Sequence, residues 1–404
     1  MAKFSFTPLT DFLSYRSRPE LFTLLIYDMI TVTGYTLMMP LISVHFVTNV
    51  GFSAAVVGFA LAVRQIIQQG LTFIGGMLSD RYGLKPVLCT GLIIRAIGFF
   101  ILGFADEIST FYLGLLLAGL GGALFDAPFQ AATIYMTRPE ERRQFYLLVN
   151  YIGSTAATIG PLLAIILLFF GFRAVGIVSG LFFLMNVYVA LRYFPNRRPN
   201  TTSDSPPFRA IFSNRPFLIF VALMCGYWFV VMQINITFPL FAEQLTGRQA
   251  SASVLYTFSS LLTLILQYFV VRWLQKYFMT HQLLIAGTLI MTLGTVFVGS
   301  AQHFSVFLFW IGIYTLGYLI SRPMIDILIA HISHPKALGL YVGFANFSMG
   351  IGGGIGNFVG GWLYDLGNQH AIPALPWISF GVIGTLSAWA LWRYYKTNPQ
   401  AIAQ

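Results

Sequence analysis

The chain consists of long apolar runs separated by short polar stretches. Each run has about the 20 apolar residues that an α-helix needs to cross a bilayer core of about 30 Å. The runs lie at 20–47, 52–78, 84–105, 108–136, 143–171, 173–194, 216–242, 250–276, 281–301, 304–332, 338–364 and 374–395. The pattern therefore predicts twelve transmembrane helices, several of them long enough to be tilted or to extend beyond the bilayer.

The polar stretch in the middle of the chain differs from the other breaks. Residues 195–215 are rich in proline, serine, asparagine and arginine, which is typical of a linker. Six predicted spans precede this stretch, in residues 1–194, and six follow it, in residues 216–404. We therefore expect an all-α integral membrane protein in which two six-helix bundles are joined by 195–215.

The composition excludes a soluble globular protein. Hydrophobic residues make up 57% of the chain and charged residues only 9%. A soluble domain has about a quarter of its residues charged and uses them to cover its surface. The two cysteines, Cys89 and Cys225, lie in apolar runs of different halves, so free thiols are expected rather than a disulfide framework.

The basic residues are distributed unevenly between the two sides of the predicted membrane. Of the 23 lysines and arginines, 18 fall in loops and ends on the side of the N-terminus, and only Arg173 and Arg248 fall on the other side. The positive-inside rule then predicts that both termini and the linker are cytoplasmic, in the inner (cytoplasmic) membrane. The net charge of +10 therefore predicts an orientation in the membrane and not a nucleic-acid partner.

The two halves show a weak internal repeat. A shift of 196 residues places Asn150 on Asn346, Gly160 on Gly356 and Asp126 on Arg322. Parallel repeats of six helices are typical of one large class of secondary transporters, in which the substrate binds between the halves. Chance alignment of glycine-rich apolar helices is the alternative.

Two short motifs lie at positions where they make physical sense. The loop between the second and third spans reads GMLSDRYGLKP, with Gly76 for a close helix approach, Asp80 as a possible helix cap beside Arg81, and Gly83 for a tight turn before Lys85. A second motif lies in the fifth span, which reads GSTAATIGPLLA and contains Gly160 and Pro161. Small residues at this spacing predict a smooth helix face, and the proline predicts a bend.

These motifs resemble the cytoplasmic loop signature and the antiporter signature of the major facilitator superfamily. The segments VRQIIQQG at 63–70, GLGGALFDAP at 119–128 and GGWLYDLG at 360–367 are similar to those of the MdtH-type multidrug exporters in its drug:proton antiporter family. The resemblance implies the major facilitator fold and export of amphipathic drugs in exchange for protons. Leu84 departs from the loop signature, and Leu115 stands where many drug exporters have an arginine.

Six ionisable residues fall inside predicted spans, and these are Asp28, Arg64, Arg95, Asp126, Arg322 and Asp326. Each costs about 2.5–3.5 kcal/mol at a helix centre on insertion scales, so each is expected to face protein or a water-filled cavity. Three acids and three bases can also compensate one another as ion pairs that only fix helix packing. That structural role is the alternative to a role in transport.

The positions of these charges suggest different roles. We predict that Asp28, in the first span, is the proton-coupling acid, because a carboxyl group shielded from water holds a proton more readily. Arg95 is the candidate for the proton-relay arginine that is missing at Leu115. Asp126 is expected to be a gate charge that approaches Arg322 across the halves, although Arg322 can instead pair with Asp326, one helical turn on.

The remaining predictions concern substrate and partners. The resemblance implies that spans one and seven line the cavity, and they carry eight possible substrate contacts, namely Tyr35, Met38, Met39, Tyr227, Trp228, Met232, Gln233 and Asn235. Ordinary packing is the alternative for each of them.

We expect no enzymatic chemistry, no metal and no cofactor apart from protons, and a monomer in the lipid bilayer. A proton symporter or uniporter for a metabolite such as a sugar or siderophore, or a membrane sensor on the same fold, are the alternative functions.

Overall fold

The computed structural model describes residues 15–138, 141–194, 209–333 and 338–398, and the regular structure within them is helical. The first seven α-helices are α1 Pro19–Val44, α2 Ala54–Gly70, α3 Thr72–Tyr82, α4 Leu84–Gly103, α5 Ile108–Met136, α6 Arg142–Leu167 and α7 Phe172–Tyr193. The other eight are α8 Arg209–Ser213, α9 Arg215–Val231, α10 Thr237–Thr246, α11 Ala250–Leu274, α12 Thr280–Val298, α13 Phe304–Ile332, α14 Leu338–Gln369 and α15 Leu375–Thr397. A π-helical turn at His45–Asn49 continues α1, and a 3-10 turn at Met232–Asn235 lies between α9 and α10.

Helices occupy all twelve places where the apolar runs predict spans. Within the described residues, ten segments are long and apolar enough to cross a membrane, or eleven if α2 and α3 form one broken span. The remaining predicted span corresponds to α14, a helix of 32 residues whose many glycines make it less apolar. The all-α, multi-pass membrane fold expected from the sequence is therefore confirmed.

The described residues of Met1–Met38 and Leu71–Thr201 form one compact unit. Its centre is α4, which packs along α5 and α7. Glycines allow this close packing, because a methyl group added at Gly98 would lie 2.7 Å from the carbonyl oxygen of Gly114. Phe99, Phe111 and Phe183 fill the interior of the unit, and each is at most 1% exposed.

The described residues of Met39–Gly70 and Thr202–Gln404 form the second compact unit. In this unit α12 packs along α13, and α14 packs along both α9 and α2. Its apolar core includes Phe217, Tyr227, Tyr314 and Phe380. Residues 195–208, which are most of the predicted linker, lie outside the described residues. The rest of the linker contains the short helix α8 at Arg209–Ser213.

The internal repeat is visible in the helix boundaries. Five helices of the second half begin 196 residues after their counterparts, at Pro19 and Arg215, Ala54 and Ala250, Leu84 and Thr280, Ile108 and Phe304, and Arg142 and Leu338. The glycine contacts recur as well. A methyl group added at Gly91 would lie 2.8 Å from the carbonyl oxygen of Gly121, and one at Gly287 would lie 2.8 Å from that of Gly317. The repeat in the sequence is therefore a repeat of structure.

Candidate functional site

Asp28 lies in α1, within the first unit, and is half-buried. Its carboxylate faces α6 at Gly153, where a methyl group added to the glycine would lie 3.2 Å from Oδ2 of Asp28. The Asp126 carboxylate of α5 is also half-buried and close enough to act on Asp28 electrostatically. The first unit thus brings together two of the acids that the sequence predicts to be functional.

Arg95 in α4 is 3% exposed and sits in a cage of aromatic rings. The central carbon of its guanidinium lies 4.9 Å from the ring of Tyr35, 5.1 Å from Phe125, 5.2 Å from Phe183 and 5.8 Å from Phe99. The faces of aromatic rings carry partial negative charge and stabilise a cation that has left water. Four different helices supply these rings, so the cage holds the positive charge inside the bundle.

Arg64 in α2 belongs to the second unit and is 1% exposed. Its two terminal nitrogens donate hydrogen bonds to the side-chain oxygens of Gln65 and Gln68, each at 2.8 Å. Amide oxygens of the same helix thus satisfy part of a buried guanidinium. Arg64 was predicted as a cavity or gate charge, and that role stays a prediction.

Arg322 in α13 pairs with Asp326, one turn further along the same helix. The Nη1–Oδ1 distance is 2.7 Å, and the guanidinium lies 5.7 Å from the ring centre of Trp228 in α9. This is the local ion pair that the sequence left open as the alternative for Arg322. Neither side chain is fully covered by protein, with 35% of Arg322 and 64% of Asp326 exposed.

The loop motif forms the turn between α3 and α4. Gly83 has a φ of 98°, in the left-handed region that favours glycine, so the expected tight turn is present. Asp80 and Arg81 are exposed at the end of α3, and the Arg81 guanidinium lies over the ring of Tyr82. Lys85 follows in the first turn of α4.

The close helix approach in this motif involves a neighbour of the glycine that the sequence indicated. A methyl group at Gly75 would lie 3.0 Å from the carbonyl oxygen of Leu124 in α5. One at Gly76 would make only an ordinary contact, 3.8 Å from Cβ of Ala127. The close approach of the α5 backbone therefore requires glycine at 75.

The antiporter motif packs α6 against α1, the helix of Asp28. A methyl group at Gly160 would lie 2.9 Å from the carbonyl oxygen of Thr33, so only glycine fits there. Pro161 follows within α6 and is buried. The smooth helix face expected from the small residues is thus the face that meets α1.

The predicted substrate contacts differ in how accessible they are. Tyr35 and Asn235 are half-buried, and Asn235 accepts a hydrogen bond from the Tyr256 hydroxyl at 2.8 Å. Gln233 is fully buried and donates to the carbonyl of Gly356 at 3.0 Å. The other five are at most 6% exposed, and they are Met38, Met39, Tyr227, Trp228 and Met232. Tyr35 and Asn235 are therefore the most accessible of the eight, and the role of all eight as substrate contacts stays a prediction.

The comparisons with known proteins agree with this arrangement. The sequence model of the Major Facilitator Superfamily matches residues 24–279 and 234–404. The chain is 35% identical over 376 residues to the multidrug resistance protein MdtH of Proteus mirabilis, covering 92% of this chain and 94% of that protein. The chain belongs to the Major Facilitator Superfamily.

A second relative and two solved structures are also similar to this chain. The multidrug resistance protein MdtH of Photorhabdus laumondii is 36% identical over 376 residues, with the same coverage of both chains. The solved structure of nucleoside transporter NupG superposes with a TM-score of 0.77 at 13% identity, over 93% of this chain and 99% of its own. A POT family transporter in complex with a thioalcohol-conjugated peptide reaches 0.80 at 11% identity, over 94% and 96%. These distant structures show the fold.

The described part of this superfamily member also contains a polar contact that the motifs do not indicate. Asp365, near the end of α14, accepts hydrogen bonds from the backbone N–H groups of Ala54 at 3.1 Å and Ala55 at 2.8 Å. Its carboxylate therefore caps the N-terminus of α2, the chemistry that the sequence suggested for Asp80. Among these same residues, no cluster of three or more histidines, cysteines, aspartates or glutamates could hold a metal ion.

Proposed function

We propose that this transporter exports small amphipathic drugs in exchange for protons, with Asp28 as the proton-coupling acid. The similarity to multidrug resistance proteins over more than nine-tenths of both chains supports drug export. The observation that carries the proton coupling is the position of Asp28. Its half-buried carboxylate lies on the helix against which the antiporter motif packs, in contact range of Gly153.

The local charges suit a site that binds and releases a proton. The Asp126 carboxylate is close enough to act on Asp28 electrostatically, and both acids are half-buried, so together they form an acidic pair on neighbouring helices. Arg95 is held within its aromatic cage and so remains a cation while the acids change charge. A proton that enters on Asp28 moves down a membrane potential worth about 2.3 kcal/mol per charge per 100 mV, which can drive export.

The wider assignment follows from the same reasoning. The basic loops favour the inner (cytoplasmic) membrane with both termini in the cytoplasm, and nothing in the proposed cycle requires a cofactor or an enzymatic step. We propose a monomer that alternates access for its cargo, with Tyr35 and Asn235 as the first substrate contacts to test. Asp126 and Arg322 remain the proposed gate charges.

Everted membrane vesicles test the proposal directly. Their interior is acidified, ethidium or rhodamine 6G is added outside, and dye uptake and lumenal pH are followed together. Wild-type vesicles should take up dye and release protons, and Asp28→Asn should lower both by at least ~10-fold. Asp28→Met provides a fold control, because the second repeat has Met224 at the corresponding position and buries it fully.

The outcomes separate the candidate functions. Dye uptake with no proton release would indicate a uniporter. Dye uptake that requires the medium outside the vesicles to be more acidic than the lumen would indicate a symporter. Dye binding without flux would indicate a sensor. An Asp28→Asn protein that still exchanges dye for protons would overturn the role of Asp28.

A further inference from the structure

Asn186 of α7 forms a closed triangle of hydrogen bonds with the turn of α1 that carries Asp28. Its side-chain nitrogen donates to the carbonyl oxygen of Tyr27 at 3.0 Å and to Oγ1 of Thr31 at 2.7 Å. The Thr31 hydroxyl donates in turn to the same Tyr27 carbonyl at 2.9 Å. Asn186 is fully buried, so these bonds form where water does not compete for the amide.

The triangle fixes the rotation of α1 about its own axis. Tyr27 and Thr31 are one turn apart and share a helix face, while Asp28 points about 100° away around the helix. Holding the Tyr27 face against α7 therefore directs Asp28 towards α6. The Tyr27 ring adds a second restraint, since it stacks on Phe129 of α5 with a centroid distance of 4.9 Å.

The space opposite the Asp28 carboxylate is left open by a glycine. Among the described residues, and apart from the adjacent backbone of α6, Oδ2 of Asp28 is the one atom within 4 Å of the position that a Gly153 side chain would take. Close helix packing does not explain this glycine, because no backbone atom of another helix in the described part of the chain lies in that range. The missing side chain instead leaves room for the carboxylate, which a methyl group at this position would crowd at 3.2 Å.

The second repeat shows what the fold needs at these positions. The counterparts of Asp28 and Gly153, 196 residues later, are Met224 and Met349, and both belong to or pack against the apolar core. The carbonyl of Leu223, the counterpart of Tyr27, accepts one long hydrogen bond of 3.5 Å, from Ser387 of α15. The two short hydrogen bonds that Asn186 donates thus occur in the repeat that carries Asp28.

We propose that Asn186 is a positioning residue for Asp28, holding α1 so that the carboxylate faces the open space at Gly153. This rests on the proposed function, in which Asp28 carries the proton. The groups that act on this turn from neighbouring helices are the Asp126 carboxylate of α5 and, on the Tyr27 side, Arg95 and Cys89 of α4. By holding α1, Asn186 sets the distance of the Asp28 carboxylate from the Asp126 carboxylate and from α6.

The test compares Asn186→Leu with a matched control, Ser387→Ala, which removes the corresponding donor in the repeat without the acid. The full chain is placed in everted vesicles, and ethidium uptake is measured against lumenal pH. Dye affinity is measured separately by fluorescence polarisation on the purified protein. We expect Asn186→Leu to lower proton-driven uptake by ~10-fold and to shift its pH dependence, with dye affinity changed by less than ~2-fold.

Thr31→Val removes a different corner of the triangle and should change the pH dependence in the same direction, which covers the case in which Asn186→Leu does not fold. Equal pH profiles for Asn186→Leu, Thr31→Val and Ser387→Ala would overturn the positioning role. If Asp28→Asn also kept proton-driven uptake, or if wild-type vesicles moved no dye, the proposed function itself would fail. If Asp28→Asn alone lost uptake, only the role of Asn186 would fail.

Discussion

The cap that Asp365 places on α2 gives a prediction whose size can be worked out from the structure. The first N–H groups of a helix have no partner within that helix, and here the carboxylate of Asp365 accepts from those of Ala54 and Ala55. Asp365→Ala removes both bonds. Ser53 still accepts from the N–H of Val56 at 3.2 Å, so the end of α2 keeps part of its capping.

Losing a side-chain cap costs up to about 2 kcal/mol, and hydrogen bonds to charged groups are worth about 1.5–3 kcal/mol each. Because α2 retains the Ser53 bond and its freed N–H groups can bind water, we take ~2 kcal/mol as the net change in the free energy of opening. With about 1.4 kcal/mol for each factor of ten, the first turn of α2 should open ~30-fold more often. Asp365→Asn keeps one oxygen acceptor and should fall between this variant and wild type.

Hydrogen–deuterium exchange of the full-length protein in nanodiscs measures this opening directly. The peptide that contains Ala54 and Ala55 should exchange ~30-fold faster in Asp365→Ala. Tyr364→Phe is the matched control, since it removes a hydrogen bond of 3.0 Å to Gln244 from the same turn of α14 without touching α2. Exchange in Asp365→Ala that stayed within ~2-fold of the Tyr364→Phe protein would refute the reasoning.

Three further predictions follow from packing and charge. Gly317→Ala brings a methyl group within 2.6 Å of Cα of Met291 and should reduce the yield of monodisperse protein. Gly343→Ala meets no atom of the described residues within 4 Å and should leave the yield unchanged. Arg95→Lys keeps the charge but loses the planar stacking, so the thermal midpoint should fall by ~2 °C or more, and an unchanged midpoint would contradict the cage. The bond from Arg18 holds the pKa of Glu141 below its usual value; folding is therefore favoured by this exposed pair at neutral pH and loses that contribution as the pH falls through the lowered pKa. Arg18→Ala should thus reduce the midpoint slightly at pH 7, and this reduction should shrink and then vanish as the pH is lowered through the pKa of Glu141.

The helices were predictable because apolar length alone decides which segments can cross a bilayer. The run at 108–136 and the run at 304–332 have the same bounds as α5 and α13. Hydropathy does not reveal where a helix is interrupted within an apolar run, however. The run at 52–78 was predicted as one span, yet the helix breaks at Leu71 between α2 and α3, next to Gly70. The run at 216–242 likewise contains the turn at Met232–Asn235.

The site was only partly predictable, because its contacts join residues that are far apart in the chain. Arg95 could be found as a charge inside an apolar run, but only Phe99 of its aromatic cage lies on the same helix, and the other three rings come from three other helices. Asp365 caps Ala54 across 311 residues, which no spacing rule detects. Asn186 is one asparagine in the apolar α7, and a buried amide in a predicted span was the signal that could have directed attention to it.

Comparison of the two repeats distinguishes the glycines that both share from the charges that each has alone. They share the glycines at which helices meet, since Gly91 and Gly287, Gly121 and Gly317, and Gly160 and Gly356 make matching contacts. They do not share the charges, because the counterparts of Asp28, Arg64, Arg95 and Asp326 are Met224, Ser260, Met291 and Gln130, and Asp126 corresponds to Arg322. At one such point Gly121 lies against Arg95 and Gly317 against Met291, each within 2.6 Å of a backbone atom for an added methyl group. The fold therefore requires a close backbone approach there and accepts either side chain, and we propose that the guanidinium at that position serves transport.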